Sequence, residues 1–388
     1  MKITAEDLIR RGAERHRAGD VSGAESHYRR ALRLAPHHPD AENLLGVAAR
    51  QRGDVAAALA HSARAVAAVP ASPIFLANRG AALAEAGQLG PAIETLRATL
   101  ALRPDDAVSL RNLGQALTAA GEAAAALEPL RRAVALHPAP EAWLALAHAA
   151  HEAGDAAAAR AAAARVSGRL AEQARFLLAA LGEGDMPARA PAGYVRELFD
   201  AFAPRFDREL EGTLAYRTPA LLAALLEGTP PGRLLDLGCG TGLSGTALRP
   251  FAARLEGLDL SPRMLEQARL RGGYDALHEA DLLDFLPRRA GAWDIIAAAD
   301  VLNYLGDLAP AFAAIRTALR PHGVAVVSLE TGAAPVALHE GLRFRHHPEH
   351  AAALAEAAEL RVVAREAATL RQEKGRDVPG TLLKLTPA

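Results

Sequence analysis

The segment Leu234-Leu235-Asp236-Leu237-Gly238-Cys239-Gly240-Thr241-Gly242 joins an apolar run to a carboxylate and three alternating glycines. Glycines at this spacing let a backbone turn tightly and pass close to a ligand. A dinucleotide-binding loop is the main competitor, but its fingerprint is G-x-G-x-x-G and it aims a helix N-terminus at a pyrophosphate. Here the order is D-x-G-x-G-x-G, which suits a ligand without phosphate. A second carboxylate, Asp259, lies 17 residues beyond Gly242 in Gly257-Leu258-Asp259-Leu260-Ser261. Such a group can accept both hydroxyls of a ribose. A third, Asp281, stands in Glu279-Ala280-Asp281-Leu282. Each acid alone reads as a surface carboxylate or a helix cap. Together, at the carboxyl ends of successive apolar runs, they predict one ligand at the strand-end edge of a sheet.

Those carboxylates need strands to carry them. From Arg233 onward, apolar runs at Leu234–Leu237, Arg254–Leu258, Ala276–Glu279, Trp293–Ala298, Val324–Leu329, Arg361–Glu366 and Thr381–Leu385 read as strands. Helical patterns at Gly242–Leu248, Pro262–Arg271, Leu308–Leu319 and Glu349–Glu359 fall between them. The alternation predicts a mostly parallel sheet wrapped by helices. Only Gly375-Arg376-Asp377-Val378-Pro379-Gly380 separates the last two runs, which predicts a closing antiparallel hairpin. The fourth run leads into Asp300, Asn303 and Tyr304, three hydrogen-bonding residues at the same edge.

The first half is organised differently. Pro36, Pro70, Pro104 and Pro138 recur every 34 residues, and Gly19, Gly53, Gly87 and Gly121 keep the same step. Each glycine suits the left-handed end of a first helix and each proline stops a second, so each unit is a helical hairpin. Gly12, Gly46, Gly80, Gly114 and then Ala147 fall where the first helix must approach the second. Tyr28, Leu96 and Leu130 supply the larger knobs. The pattern resembles the tetratricopeptide repeat. A fifth unit, from Pro140, slips by one residue and lacks its closing proline, and Arg169 to Leu181 reads as a capping helix. The predicted organisation is a repeat domain over 1–181, a breaker-rich linker over 182–191 and a second domain over 192–388. Arg15, Asn43, Arg50, Asn78, Arg79, Arg111 and Asn112 lie on first helices and read as solvated.

The glycine loop and its following acids resemble the class I S-adenosylmethionine-dependent methyltransferases. Nearly the whole chain is similar to a bacterial group of methyltransferases that carry tetratricopeptide repeats. The marks are Tyr194 to Asp200 with Phe206-Asp207, Leu214-Ala215-Tyr216-Arg217-Thr218-Pro219, Asp300 to Leu308, and Gly375 to Gly380. The resemblance implies an α-solenoid followed by a Rossmann-like seven-stranded sheet whose last strand is inserted antiparallel. It implies S-adenosylmethionine as cofactor, held by Asp236, Gly238, Cys239, Gly240, Gly242, Asp259, Leu260, Met264, Asp281, Leu282 and Asp300. In that family the position of Asp281 accepts from the adenine amino group, the next backbone N–H, on Leu282, reaches a ring nitrogen, and Met264 would pack on the adenine.

Methyl transfer needs the acceptor positioned and its proton removed, without a dedicated nucleophile. Tyr304, Asn303 and His346 are the catalytic candidates, and Tyr194, Phe202, Tyr216 and Arg217 the substrate candidates. The bland reading of the Arg343-Phe344-Arg345-His346-His347 stretch is a solvated loop, and Cys239 reads as a small apolar residue without a catalytic part. No Asn/Asp-Pro-Pro-Tyr/Phe amine motif is present, so O-methylation of a small-molecule, carrier-bound or peptide substrate is expected. Protein N-methylation, or a scaffold or cofactor sensor without catalysis, are the alternatives. The 44 basic and 45 acidic residues balance, so neither nucleic acid nor an acidic membrane is an expected partner. A protein partner or self-association through the repeats is. A single cysteine forbids an intrachain disulfide, no metal site is expected, and the acidic N-terminus fits a cytoplasmic protein better than an exported one.

Overall fold

A computed structural model describes residues 3–208, 216–339, 341–373 and 375–388. Leu214 and Ala215, among the family marks above, lie outside them. The chain divides into two compact units, Met1–Ala174 and Arg175–Ala388. No helix among the described residues is long and apolar enough to cross a membrane.

The first unit is a run of helix pairs: Ala5–Arg17 with Val21–Leu34, Pro39–Gln51 with Val55–Ala68, Pro73–Glu85 with Leu89–Leu102, Ala107–Ala119 with Ala123–Leu136, and Pro140–Glu152 with Ala156–Ala163. Gly19, Gly53, Gly87 and Gly121 all take φ between 70° and 83°, the left-handed turn that a residue without Cβ adopts freely. Four aspartates, Asp20, Asp54, Asp106 and Asp155, cap the helices that follow them. The second helix of the fifth pair has 8 residues against 14 in its counterparts, consistent with a terminal unit. A helix over Ala171–Ala180 follows, and the division between units falls inside it.

At each of the first four crossings a first-helix glycine meets the residue 16 positions on. A Cβ on Gly12 would stand 2.4 Å from the Tyr28 ring, on Gly80 2.7 Å from Leu96, and on Gly114 2.3 Å from Leu130. Gly46 differs, because its counterpart is Ser62 and its Cβ would meet the nearest atom at 3.3 Å. Several first-helix polar residues are not solvated as the sequence suggests. Asn78 donates to Asn43 at 2.8 Å, Arg50 pairs with Glu85 at 2.5 Å, and His16 meets Gln51 at 2.7 Å, each bond joining consecutive first helices.

The second unit is built on a seven-stranded sheet. Its strands are β1 (Gly232–Leu237), β2 (Ala252–Asp259), β3 (Ala276–Glu279), β4 (Trp293–Ala298), β5 (Leu319–Glu330), β8 (Leu360–Glu373) and β9 (Arg376–Pro387). Two short strands, β6 (Val336–Leu338) and β7 (Phe344–His346), form a separate hairpin. The order across the sheet is β3-β2-β1-β4-β5-β9-β8, parallel except that β9 runs antiparallel between β5 and β8. Strands buried on both faces read as unbroken apolar runs. Leu235, Ile296 and Ala325 pack into one helix layer with Phe312 and Ile315, and their neighbours Leu234, Ile295 and Val324 into the other with Leu222.

The closing hairpin is longer and tighter than its sequence suggests. The turn is at Gly375, φ 73°, and β9 resumes at once at Arg376, so most of the stretch read as a loop is strand. Pro379 is tolerated inside β9 next to a register irregularity between Thr369 and Arg371, where a missing N–H is harmless.

Candidate functional site

The parallel strands end along one edge, where a cavity of about 210 Å³ opens. Its floor is the glycine loop. Gly238 and Gly240 turn through φ 64° and 55°, and a Cβ on Gly238 would collide with Val301 at 2.7 Å. Cys239 N–H donates to Leu258 O at 3.0 Å, tying the loop to β2. The Cys239 thiol is buried, and burial together with the nearby Asp259 and Asp236 carboxylates pushes its pKa well up, so no thiolate is on offer.

Asp259 lines the cavity at the end of β2. Its Oδ2 accepts Gly240 N–H at 2.9 Å and its Oδ1 accepts Ser261 N–H at 2.8 Å. Burial raises its pKa to about 6 against those donors. Asp281, after β3, accepts Leu283 N–H at 2.9 Å on one oxygen and the Arg189 guanidinium on the other. A carboxylate offers about four lone-pair sites. Each of these two acids therefore keeps acceptor capacity beyond the bonds described, which a pair of ribose hydroxyls and an adenine amino group would use. Leu260 and Leu282 line the wall beside them.

At the end of β4, Asp300 sits at φ 56°, a left-handed conformation unusual for a residue with a side chain. A dense set of bonds holds it there. Its N–H donates to Ser328 Oγ at 2.8 Å, and its carboxylate accepts Thr218 Oγ1 and Ser328 Oγ, each at 3.1 Å, and Arg371 Nη1 at 3.2 Å. Asn303 is fixed by accepting Glu330 N–H at 2.9 Å. The Tyr304 ring packs edge-on against Phe199 at 5.6 Å, and burial raises its phenol pKa, so it stands as a neutral hydroxyl. Tyr216 lines the same wall, its pKa also raised by burial.

A strap made by the helix Ala192–Phe202 and the residues beside it roofs the cavity with Phe199, Phe202 and Phe206, which meet Phe-on-Phe edge-to-face at 5.3 and 6.2 Å. Polar anchors pin it. Ser261 Oγ donates to Asp200 at 2.6 Å, Thr241 and Arg271 donate to Asp207, and Ala190 N–H donates to Tyr304 O at 2.8 Å.

Six sequence candidates do not line the cavity. Asp236 is fully buried beneath the loop, accepting Ser244 Oγ at 2.5 Å and Tyr274 OH at 2.6 Å, with its pKa raised to about 6 by burial. It anchors the loop from below. Gly242, φ 90°, opens the helix Leu243–Leu248 behind the loop, and Met264 is buried in the core under its own helix. The Tyr194 ring turns to Phe176 at 5.4 Å, because the strap helix presents only one face to the cavity. Arg217 is exposed and engages Leu370 O at 3.0 Å through its backbone N–H. His346 is buried, and since a carbonyl only accepts, its Nε2 must donate to Leu305 O at 2.9 Å. Burial also lowers its pKa. It is a packing histidine of β7 and does not reach the cavity as a base.

Three charged cavity residues have no role assigned from the sequence: Arg189, Arg343 and Arg371. Arg343 belongs to the stretch read as a solvated loop, yet its side chain is only 19% exposed and bonded to Glu330.

Residues 235–327 match the family model described as a methyltransferase domain, and residues 11–73 and 77–139 match that of the tetratricopeptide repeat. The chain carries a methyltransferase domain behind tetratricopeptide repeats. The chain is similar to human methyltransferase-like protein 27, 45% identical over 85 residues, which make 20% of this chain and 34% of that protein. It is also similar to the Streptomyces fradiae dTDP-3-amino-3,6-dideoxy-alpha-D-glucopyranose N,N-dimethyltransferase, 38% identical over 104 residues, 26% of this chain and 39% of that protein. The chain thus spans little more than a third of the length of these curated relatives. Among solved structures, Burkholderia thailandensis 1,6-didemethyltoxoflavin-N1-methyltransferase with S-adenosylhomocysteine bound aligns over 53% of this chain and 93% of that one, at 19% identity and a TM-score of 0.42. The matched segment of the methyltransferase domain contains Asp236, Asp259, Asp281 and Asp300, and ends before Arg343 and Arg371.

Proposed function

We propose that the methyltransferase domain transfers a methyl group from S-adenosylmethionine to an oxygen of a small-molecule, carrier-bound or peptide substrate, with the repeats docking a carrier, a protein partner or a second copy. The observation that carries this reading is one cavity in which Asp281, Asp259 and the glycine loop continue into Asp300, Asn303 and Tyr304. In it, Asp259 accepts the ribose hydroxyls, while Asp281 and the Leu282 N–H hold the adenine. When bound, S-adenosylmethionine supplies a methyl on a sulfonium that departs as a neutral thioether. Asn303 and Tyr304 orient the acceptor hydroxyl in line with that methyl, and Asp300 takes its proton. The phenylalanine roof keeps water from the reacting carbon. The name of the Streptomyces fradiae relative specifies an amine acceptor, so a nitrogen product is the second reading.

Calorimetric titration with S-adenosylmethionine and S-adenosylhomocysteine tests the proposal. Micromolar binding of both is expected, and absence of both would remove it. The same titration has a pH signature. Asp259 titrates near 6 in the free protein, and ligand hydroxyls together with a cationic sulfonium favour its ionised form. Affinity should be level above about pH 7 and fall as pH drops below about 6, by at most about tenfold per unit for this carboxyl. A level affinity down to about pH 5 would show that Asp259 does not meet the ligand in its ionised form.

A further inference from the structure

The wall of the cavity beyond Asp300 carries two arginines held side by side. Glu330, 1% exposed at the end of β5, accepts on its single Oε1 both Arg343 Nε at 2.6 Å and Arg371 Nη2. Glu373 accepts Arg343 Nη2, Asp300 accepts Arg371 Nη1 at 3.2 Å, and Arg345 Nε lies 3.5 Å from Glu330 Oε2. Three arginines thus face three acids. The neighbouring carboxylates raise the pKa of both Arg343 and Arg371 against burial, and both keep their charge.

Buried ion networks of this kind stabilise a fold weakly, since apolar residues of similar volume usually do as well. Their merit is orientation. A guanidinium has five N–H donors. In the bonds described Arg371 commits two, to Asp300 and Glu330, and Arg343 three, of which the one to Gly341 O is long at 3.4 Å. Both side chains line the cavity, so the donors they retain form a preorganised fork beside it.

The sheet order says which ligand that fork meets. Asp281, Asp259 and the glycine loop stand at β3, β2 and β1, while Glu330 stands at β5, two strand spacings or about 10 Å past the loop. Asp300, on β4, lies between. The cofactor's adenosyl portion belongs to the first group and the acceptor to the second. We propose that Arg343 and Arg371 form a carboxylate clamp for the acceptor, and that the methyl acceptor is an acid with an apolar or aromatic body lying under Phe199, Phe202 and Phe206. This rests on the methyl-transfer reading above.

The test uses the full chain saturated with S-adenosylhomocysteine and titrated calorimetrically with benzoate, benzyl alcohol and benzylamine. Benzoate should bind saturably and at least about tenfold more tightly than the other two. Arg371→Lys keeps a positive charge between Glu330 and Asp300 but loses the fork. It should weaken benzoate at least about tenfold while leaving S-adenosylhomocysteine affinity within about twofold. Benzylamine or benzyl alcohol binding as well as benzoate, or no saturable benzoate binding, overturns the clamp. Loss of S-adenosylhomocysteine affinity in Arg371→Lys overturns it too, by assigning the fork to the cofactor's own carboxylate. If the variant is too unstable to titrate, the three-probe comparison on the unaltered protein decides. S-adenosylhomocysteine failing to bind the unaltered protein strikes the methyl-transfer reading itself, whereas its binding without benzoate strikes only the clamp.

Discussion

Asp259→Ala should weaken S-adenosylmethionine binding about 100-fold or more, since two charge-assisted hydrogen bonds to the ribose disappear at about 1.5 to 3 kcal/mol each. The loss is not confined to the ligand. Gly240 and Ser261 donate their N–H groups to the same carboxylate, so the floor of the cavity loses an anchor as well. Asp259→Asn retains one side-chain oxygen and should recover part of the affinity. Titration of both variants alongside the unaltered protein measures this, and an unchanged dissociation constant for the alanine variant would reject the ribose contact. Asp236→Asn is the useful contrast. Asp236 lies beneath the loop between Ser244 and Tyr274, so its replacement should show first in thermal stability.

The second large effect concerns the repeats. Gly114→Ala drives a Cβ to 2.3 Å from Leu130, which is fully buried. Overpacking of this sort costs about 1 to 3 kcal/mol. Gly46→Ala is the same change at the equivalent position two repeats earlier, but it faces Ser62 and finds 3.3 Å. There the helix-favouring effect of alanine, about 1 kcal/mol, should offset the contact and leave stability level or slightly raised. Urea melts followed by helical circular dichroism compare the two. Equal losses would mean that the crossing distance does not depend on the size of the facing residue.

These expectations mark where local pattern is informative. The 34-residue period exposes the repeats because the same packing problem is solved each time with the same residue sizes. The glycine loop and the strand-end acids Asp259 and Asp281 were legible because each stands within a few residues of the strand that positions it. Arg189, Arg343 and Arg371 were not. They reach the cavity from chain segments up to about 130 residues from the glycine loop, and nothing in Leu370-Arg371-Gln372-Glu373 says that an arginine there is buried. The hairpin of β6 and β7 is illegible for another reason: strands of three residues are too short for alternation to show. His346 looked like a base because composition cannot tell a histidine on a carbonyl from one facing a substrate. The polar first-helix residues misled similarly, since Asn43 and Asn78 find each other 35 positions apart.

The two ends of the cavity are drawn from separate stretches of the chain. The cofactor end is written in residues 235–327, the segment common to the methyltransferase family model, whereas both arginines of the far wall come from residues 331–388, after that match ends. On the carboxylate-clamp proposal, substitutions at Arg343 and Arg371 change what is methylated while Asp259 and Asp281 stay in place, so one cofactor site can be kept through successive changes of acceptor.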